Sequence, residues 1–387
     1  MTATLYEHVQ PQSILCDDPE DLLAAFGKDP RLIPYGGGNF GMPLEMMEPE
    51  GELIVPTEQF FMRSNGPIPV IEPDAWRLSI TGGVERALEL NLDELQAMPR
   101  RTLTAFLECA GNGRTRFDPI PEGTPWQNDA AGNAIWDGVP LAAVLDLAGV
   151  QGGAVDVVAQ GGDFPEMRRG LPLAVARDPD TLLVLRMNGK PLPVAHGGPV
   201  RLLVPGWAGI ASTKWLTGLT VLDRSFDGFW NTDNYVVWTD DGTPLRPVTE
   251  MPVKSIISTP GANTMLTEGP NRIAGYAWSG YGAIDRVEVS TDGGETWQFA
   301  ELERAGRRAW VRFAYTWKAT PGRYRLMARA TDERRLRQPG SAAWNAKGYG
   351  QNGIQGITVS VSEGIPQNDL DGRERLRYAH RTPLLNG

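Results

Sequence analysis

Strand-like segments alternate with turns through the last third of the chain, and this pattern constrains the fold most. The segments after Met251 are Ala274–Trp278, Asp285–Ser290, Trp297–Glu301, Trp310–Trp317, Tyr324–Thr331 and Gly356–Val361. Thr291–Gly294 has the composition of a hairpin turn. A strand about every eight to twelve residues is typical of an antiparallel sandwich. The spacing predicts an all-β, immunoglobulin-like sandwich over 251–363, followed by a polar tail or arm over 364–387.

The part of the chain before this pattern mixes short strands, short helices and long loops. Strands are predicted at Trp76–Gly83, Ala154–Ala159, Leu182–Gly189 and Val200–Gly206, the last of which alternates poorly and is expected to be buried on both faces. Helices are predicted at Leu92–Met98, with Asn91 as N-cap, and at Gly138–Gly149, with a glycine at its end. Such a mixture predicts an α+β domain over 51–250. Residues 1–50 have an irregular composition, with one short helix predicted at Pro19–Phe26.

Charge and length exclude several classes of protein. The formal net charge is −10, which argues against a general surface for nucleic acid or anionic membranes. No segment has the length of a membrane span. The first residues lack a basic end and an apolar core, so the sequence shows no signal peptide. By sequence the chain is therefore expected in the cytoplasm, although an exported protein whose leader had been removed would look the same.

Cysteine and histidine are scarce, and this narrows the chemistry. The two cysteines, Cys16 and Cys109, lie far apart and show no zinc, haem-attachment or disulfide-scaffold spacing. The three histidines are His8, His196 and His380. A Ser–His–Asp hydrolase would have to use His196, and the sequence has no G-x-S-x-G motif. Most hydrolytic and metal-cluster chemistries are therefore disfavoured.

The stretch from Thr104 to Arg116 ends an apolar run in Cys109 and continues through two glycines and two arginines. Glycine allows positive φ and lets a ligand approach the main chain closely. A buried structural cysteine and a ligand-binding thiol both fit this stretch when it is taken alone. By contrast, Gly36–Gly41 spells G-x-G-x-x-G but follows no clear strand and precedes Pro43, so we predict no dinucleotide site there.

Cationic side chains recur in the loops of the α+β region. Arg63, Arg114, Arg201 and Lys214 all lie at strand ends or in Gly/Pro-rich loops of an acidic protein. Each alone is explained as a solvated surface charge, but together they match what a phosphorylated cofactor needs. His196 is a neutral donor in the same kind of loop. A soft metal needs only one protein thiolate where an organic ligand supplies the other sulfurs.

Several motifs in the same chain order give the sequence a specific resemblance. They are Phe61–Asn65, Glu108–Arg114, Gly132–Leu141, His196–Gly206, Ser212–Leu216, Asp285–Trp297 and Trp344–Tyr349. These motifs resemble the sulfite oxidase family of molybdenum enzymes, over roughly Thr57 to Val361. The resemblance implies a molybdopterin-binding catalytic domain followed by an immunoglobulin-like domain used for dimerisation.

The resemblance also implies roles for particular residues. Cys109 corresponds to the thiolate that binds molybdenum. The expected cofactor-binding residues are Arg63, Ser64, Asn65, Cys109, Asp163, His196, Arg201, Ser212, Thr213 and Lys214. The expected catalytic residues are Cys109, Tyr235, Arg63 and Arg114, and the expected substrate-binding residues are Arg63, Arg114, Trp126 and Lys347.

The activity implied by the resemblance is oxidation of sulfite or a related sulfur oxyanion by oxygen-atom transfer. The resemblance implies no haem domain in this chain, so electrons would pass to a separate acceptor, a cytochrome or another carrier. It also implies a homodimer joined through the second domain. Gly113, Asn65 and Lys347 stand where many members have Arg, His and Arg, and bacterial members vary in this pocket. Two alternatives stay open: a molybdenum-dependent reductase of S-oxides or N-oxides, and a non-catalytic immunoglobulin-like binding protein.

Overall fold

The computed structural model describes residues 12–13, 18–47, 51, 53–239 and 241–363. The predicted tail over 364–387 lies outside these residues, as do Cys16, His8 and His380. Within them, strands dominate and helices are short. No helix in this part of the chain is long and apolar enough to cross a membrane.

A mixed sheet forms one layer of the first part of the chain. Its strand order is Arg168–Pro172, Asp156–Gly161, Leu216–Leu222, Arg77–Gly82 and Leu88–Asn91. All neighbours are antiparallel except Leu216–Leu222 and Arg77–Gly82, which run parallel. Buried side chains of this sheet pack with those of the helix Leu141–Ala148 to form one hydrophobic core.

A second, antiparallel sheet carries the cysteine stretch. Its strand order is Lys190–Pro191, Leu182–Met187, Ala131–Pro140 and Arg101–Glu108, and Arg201–Leu203 also pairs with Leu182–Met187. Arg201–Leu203 is buried along its whole length, as the predicted lack of alternation requires. The end of Arg101–Glu108 therefore comes to lie in the interior, with Cys109 immediately after it.

The five α-helices in the described ranges are Pro19–Ala25, Leu92–Gln96, Leu141–Ala148, Leu173–Ala176 and Phe229–Thr232. Asn91 forms the predicted cap of Leu92–Gln96, with Glu94 completing a capping box. The helix predicted from Gly138 begins only at Leu141, because 138–140 still belong to the strand Ala131–Pro140. Residues before a proline favour extended backbone, so the strand continues up to Pro140.

The last part of the chain is a sandwich of two sheets. One has the order Lys254–Thr259, Gly269–Trp278, Val311–Ala319 and Glu301–Arg304, and the other Met265–Thr267, Gly356–Ser362, Gly322–Asp332, Ile284–Ser290 and Gln298–Phe299. Thr291–Gly294 lies in the connection of the antiparallel pair Ile284–Ser290 and Gln298–Phe299. The apolar inner faces of both sheets form a core of their own. The predicted all-β sandwich is confirmed.

A third core joins the N-terminal segment, the cysteine-bearing sheet and one face of the sandwich. Three short strand pairs lie outside the larger sheets: Gln12–Ser13 with Pro69–Val70, Ile33–Pro34 with Phe40–Gly41, and Val236–Trp238 with Pro244–Pro247. Glycines 36–38, all at positive φ, make the turn between Ile33–Pro34 and Phe40–Gly41. The glycine-rich stretch is thus a hairpin turn that presents Asn39 to the interior.

Candidate functional site

A cleft in the first part of the chain gathers most of the predicted site residues. It encloses about 690 Å³ of empty space, open solvent at its mouth included. The predicted residues that line it are Arg63, Ser64, Asn65, Cys109, Asp163, His196, Arg201, Ser212, Thr213, Lys214 and Tyr235. Residues from widely separated segments therefore share one cavity.

Cys109 lines this cavity with a free thiol and is 6% exposed. Its amide donates to the carbonyl of Ala130 at 2.9 Å, and its own carbonyl accepts from the Asn112 amide at 2.9 Å. Gly113 closes the turn at φ +87, a conformation that favours glycine. In the described part of the chain no three His, Cys, Asp or Glu side chains cluster as metal ligands. A soft metal could be held here by Cys109 together with sulfur ligands of a bound organic group.

A buried polar network holds the backbone on both sides of Cys109. Glu108 accepts hydrogen bonds from Asn112 Nδ2 at 2.9 Å, Lys254 Nζ at 3.2 Å and Trp278 Nε1 at 2.7 Å. Lys254 Nζ also donates to the Asn112 carbonyl at 3.0 Å. Because Lys254 and Trp278 belong to the sandwich, the second domain fixes the cysteine loop of the first.

The Arg63 loop forms one wall of the cavity. Arg63 donates to Asn39 Oδ1 at 3.1 Å, to Asn65 Oδ1 at 2.5 Å and to the Ser64 carbonyl. Tyr235 Oη lies 3.4 Å from the same Asn65 oxygen. Burial works against the charge on Arg63, but the nearby Tyr235 and Cys109 raise its pKa above the ordinary value. A permanent cation therefore lies close to the thiol and the tyrosine.

Three further basic side chains, those of Arg201, Lys214 and His196, line the same cavity. Arg201 donates to the carbonyls of His196 at 2.9 Å and Ser212 at 2.8 Å, and Lys214 Nζ lies 3.8 Å from the centre of the Trp215 ring. Burial lowers the pKa of Arg201 to about 9. Burial, with the charge of Arg201, also lowers the pKa of Lys214 and of His196. Such crowding of positive charge is the environment in which an anion binds favourably.

Two buried polar atoms of this cavity have no hydrogen-bond partner in the protein. They are Thr213 Oγ1 and Asp163 Oδ1, and both residues line the cavity. Burial raises the pKa of Asp163 to about 6, against the opposing charge of Lys214. Since buried polar groups are normally satisfied, these two atoms indicate a polar ligand. A phosphorylated organic cofactor that supplies sulfur ligands to a metal fits the thiol, the cations and the unpartnered atoms.

Sequence reasoning missed Lys28, which reaches the site from the N-terminal segment. Its Nζ lies 3.0 Å from His196 Nε2 and donates to the carbonyls of Thr57 at 2.5 Å and Phe60 at 2.7 Å. Lys28 carried no signal in the sequence, because its partners lie far away along the chain. Asn39, which orients Arg63, was missed for the same reason.

Three predicted substrate residues lie outside the cavity lining. Arg114 is buried, and its guanidinium donates to the carbonyls of Lys347 at 3.0 Å and Thr124 at 2.5 Å. The Lys347 side chain is exposed. Trp126 is fully buried against Tyr35, with ring centres 4.6 Å apart.

A second layer of aromatic rings connects Arg114 to the cavity. The Arg114 guanidinium lies 5.7 Å from the Tyr349 ring centre, and Tyr349 stacks on Tyr235 at 5.2 Å. Tyr235 in turn lines the cavity. The predicted set thus divides into a lining group and an outer group around Arg114.

Comparison with known proteins agrees with this geometry. Residues 65–230 match the family model of the oxidoreductase molybdopterin binding domain, and residues 246–361 that of the Mo-co oxidoreductase dimerisation domain. Mitochondrial sulfite oxidase of Rattus norvegicus is 34% identical over 384 residues, covering 89% of this chain and 70% of that protein. Sulfite oxidase of Gallus gallus is 36% identical over 360 residues, covering 84% and 77%.

A solved structure extends the likeness to the whole fold. The sulfane dehydrogenase SoxCD from Paracoccus pantotrophus superposes with a TM-score of 0.77 at 30% identity, covering 91% of this chain and 88% of that one. Fold and site thus define a molybdopterin-binding oxidoreductase. Within that class the chain belongs to the sulfite oxidase family, as its motifs predicted, and it is a molybdoenzyme of that type.

Proposed function

We propose that this chain oxidises sulfite or a related sulfur oxyanion, with Cys109 as the protein ligand of molybdenum. The observation that supports this most is the position of the thiol. Cys109 lines the same cavity as Arg63, His196 and Lys214. When bound, the molybdenum cofactor would supply two-electron redox chemistry and oxygen-atom transfer.

The pterin and its phosphate would occupy the cationic end of the cavity. Arg201 and Lys214 supply positive charge there, and Thr213 Oγ1 is a donor without a protein partner. Asp163 Oδ1 could accept a hydrogen bond from a pterin N–H. Ser64, Asn65, His196 and Ser212 complete the proposed holding set. All of them line the cavity.

The substrate would enter on the side of Arg63 and Tyr235. A sulfur oxyanion is attracted by the Arg63 guanidinium, which lies in a largely buried setting where electrostatic attraction is strong. The Tyr235 hydroxyl, 3.4 Å from Asn65 Oδ1, can donate a hydrogen bond to a substrate oxygen. In this proposal Arg114 and Lys347 add positive charge outside the cavity lining, and Trp126, whose carbonyl accepts from the Thr115 amide at 3.2 Å, supports the loop that carries Arg114.

Electrons would leave to a separate acceptor, since we propose no haem in this chain. We also propose a homodimer through the sandwich domain, because that part matches the dimerisation-domain model. Our proposed division is a catalytic domain over 51–250 and a dimerisation domain over 251–363.

The test is to purify the chain from a host supplied with molybdate, and to measure molybdenum and pterin per chain. Sulfite-dependent reduction of a dye or cytochrome is then compared with dye oxidation by a sulfoxide. We expect about one molybdenum per chain and activity with sulfite. Protein without molybdenum, or activity only in the sulfoxide direction, would falsify the proposal.

A further inference from the structure

Lys28 is a buried lysine outside both matched family models, and its side chain contacts His196, which lines the cofactor cavity. It is 8% exposed and follows the helix Pro19–Ala25. The helix is anchored by Leu22 and Leu23, which belong to the same core as Cys109. The N-terminal segment thus brings Lys28 into contact with His196, a lining residue of the cavity.

Three polar atoms lie within hydrogen-bond distance of Lys28 Nζ. Two carbonyl oxygens, of Thr57 and Phe60, lie at 2.5 and 2.7 Å, and His196 Nε2 lies at 3.0 Å. An ammonium has three N–H donors and no acceptor, whereas a neutral amine has only two donors. The charged form satisfies all three contacts with Nε2 as an acceptor, whereas the neutral amine satisfies them only by accepting from Nε2–H through its lone pair. Burial lowers the pKa of Lys28 to about 7, and the charges of Glu58 and Asp29 oppose that shift and favour the charged form.

We propose that Lys28 is a positioning residue that holds His196 as the tautomer protonated at Nδ1. This inference rests on the proposed function, in which His196 helps to hold the pterin. A neutral ring whose Nε2 accepts a hydrogen bond from the charged Lys28 carries its single proton on Nδ1. His196 then faces the cavity as a neutral donor of fixed orientation.

The surroundings of His196 support a neutral ring. Burial lowers the pKa of His196, and the charges of Lys28, Arg201 and Lys214 lower it further. The Phe60 ring meets the imidazole edge to face, with centres 5.5 Å apart. The ring is thus confined by packing, and Lys28 decides which nitrogen carries the proton.

The experiment uses the purified holoenzyme with 15N-labelled histidine. Long-range proton–nitrogen NMR correlations distinguish the two tautomers, and the signals of His196 are identified by their loss in His196→Gln. We expect Nδ1–H in the wild type and a shift towards Nε2–H in Lys28→Met. Because His196 loses a buried partner, pterin should also dissociate roughly tenfold faster from Lys28→Met.

The matched control is Lys190→Met, which removes an exposed lysine from the strand Lys190–Pro191. It should leave both the tautomer and pterin dissociation unchanged. A wild-type ring protonated at Nε2, or an unchanged tautomer in folded Lys28→Met, overturns the inference. If Lys28→Met fails to fold, the wild-type tautomer alone decides. Pterin-free wild-type protein would count against the proposed function, whereas the tautomer measurement would still decide the role of Lys28.

Discussion

Lys254, on the first strand of the sandwich, forms a buried ion pair with Glu108, the residue before Cys109. The Nζ–Oε1 distance is 3.2 Å, and the side chains are 1% and 0% exposed. Burial lowers the pKa of Lys254, and the charge of Glu108 opposes that shift. The sandwich therefore contributes directly to the structure of the thiol loop, beyond any role in dimerisation.

Breaking this pair should destabilise the protein strongly. Lys254→Met leaves the Glu108 carboxylate buried without its counter-charge, which typically costs about 3–5 kcal/mol. Urea unfolding measures the loss. The double variant Glu108→Gln/Lys254→Met should recover part of this lost stability. The control is Arg286→Met, which breaks the exposed Asp285–Arg286 pair. Equal losses in the single and double variants would contradict coupling between the two charges.

Substitution of Cys109 should separate cofactor chemistry from folding. Cys109→Ser replaces one soft sulfur by a hard oxygen and removes little core volume, so we expect loss of sulfite-dependent turnover with a near-native melting temperature. Activity, molybdenum per chain and thermal unfolding are measured together. Cys16→Ser is the matched control and should retain activity. An unchanged rate in Cys109→Ser would exclude the thiol as a metal ligand.

Asp129 should make stability depend on pH. Burial raises its pKa from 3.8 to about 6, although the hydrogen bond from Tyr35 Oη at 2.5 Å opposes the shift. The folded form then holds its proton more tightly than the unfolded form. The protonated Asp129 carboxyl therefore stabilises the folded protein fully below about pH 4, and this contribution is lost as the pH rises through about 6.

Asp129→Asn should remove this dependence. Relative to the wild type, we expect its free energy of unfolding to gain on the order of 2 kcal/mol between pH 4 and 7. Urea unfolding at a series of pH values measures the difference, and the exposed Asp74→Asn is the control. Parallel curves for Asp129→Asn and the wild type would show that Asp129 ionises normally.

The fold was predictable because its signals are local. Each signal depends on residues only a few positions apart. Examples are the strand and turn spacing after Met251, the cap at Asn91 and the helix end at Gly149. Boundaries were less certain where two signals compete, as at Gly138, where apolar spacing favoured helix and Pro140 kept the chain extended.

The site was predictable only where a motif marked it. Cys109 and Lys214 lie in recognisable loops, and both line the cavity. Lys28 and Lys254 lie in stretches without any chemical pattern, and their partners are 168 and 146 residues away. Burial of a lysine beside such a partner is a tertiary property, so a single sequence carries no trace of it.

Lys347 should act on substrate capture rather than on cofactor retention. Its side chain is exposed and only its carbonyl bonds to Arg114, so Lys347→Ala leaves that contact in place. We expect KM for sulfite to rise roughly two- to fivefold, with kcat and pterin content unchanged, and the effect to shrink at high salt because exposed charges are screened. Lys347→Arg should restore KM, and the exposed Lys318→Ala should not alter it. Pterin loss at unchanged KM would remove Lys347 from the substrate rim.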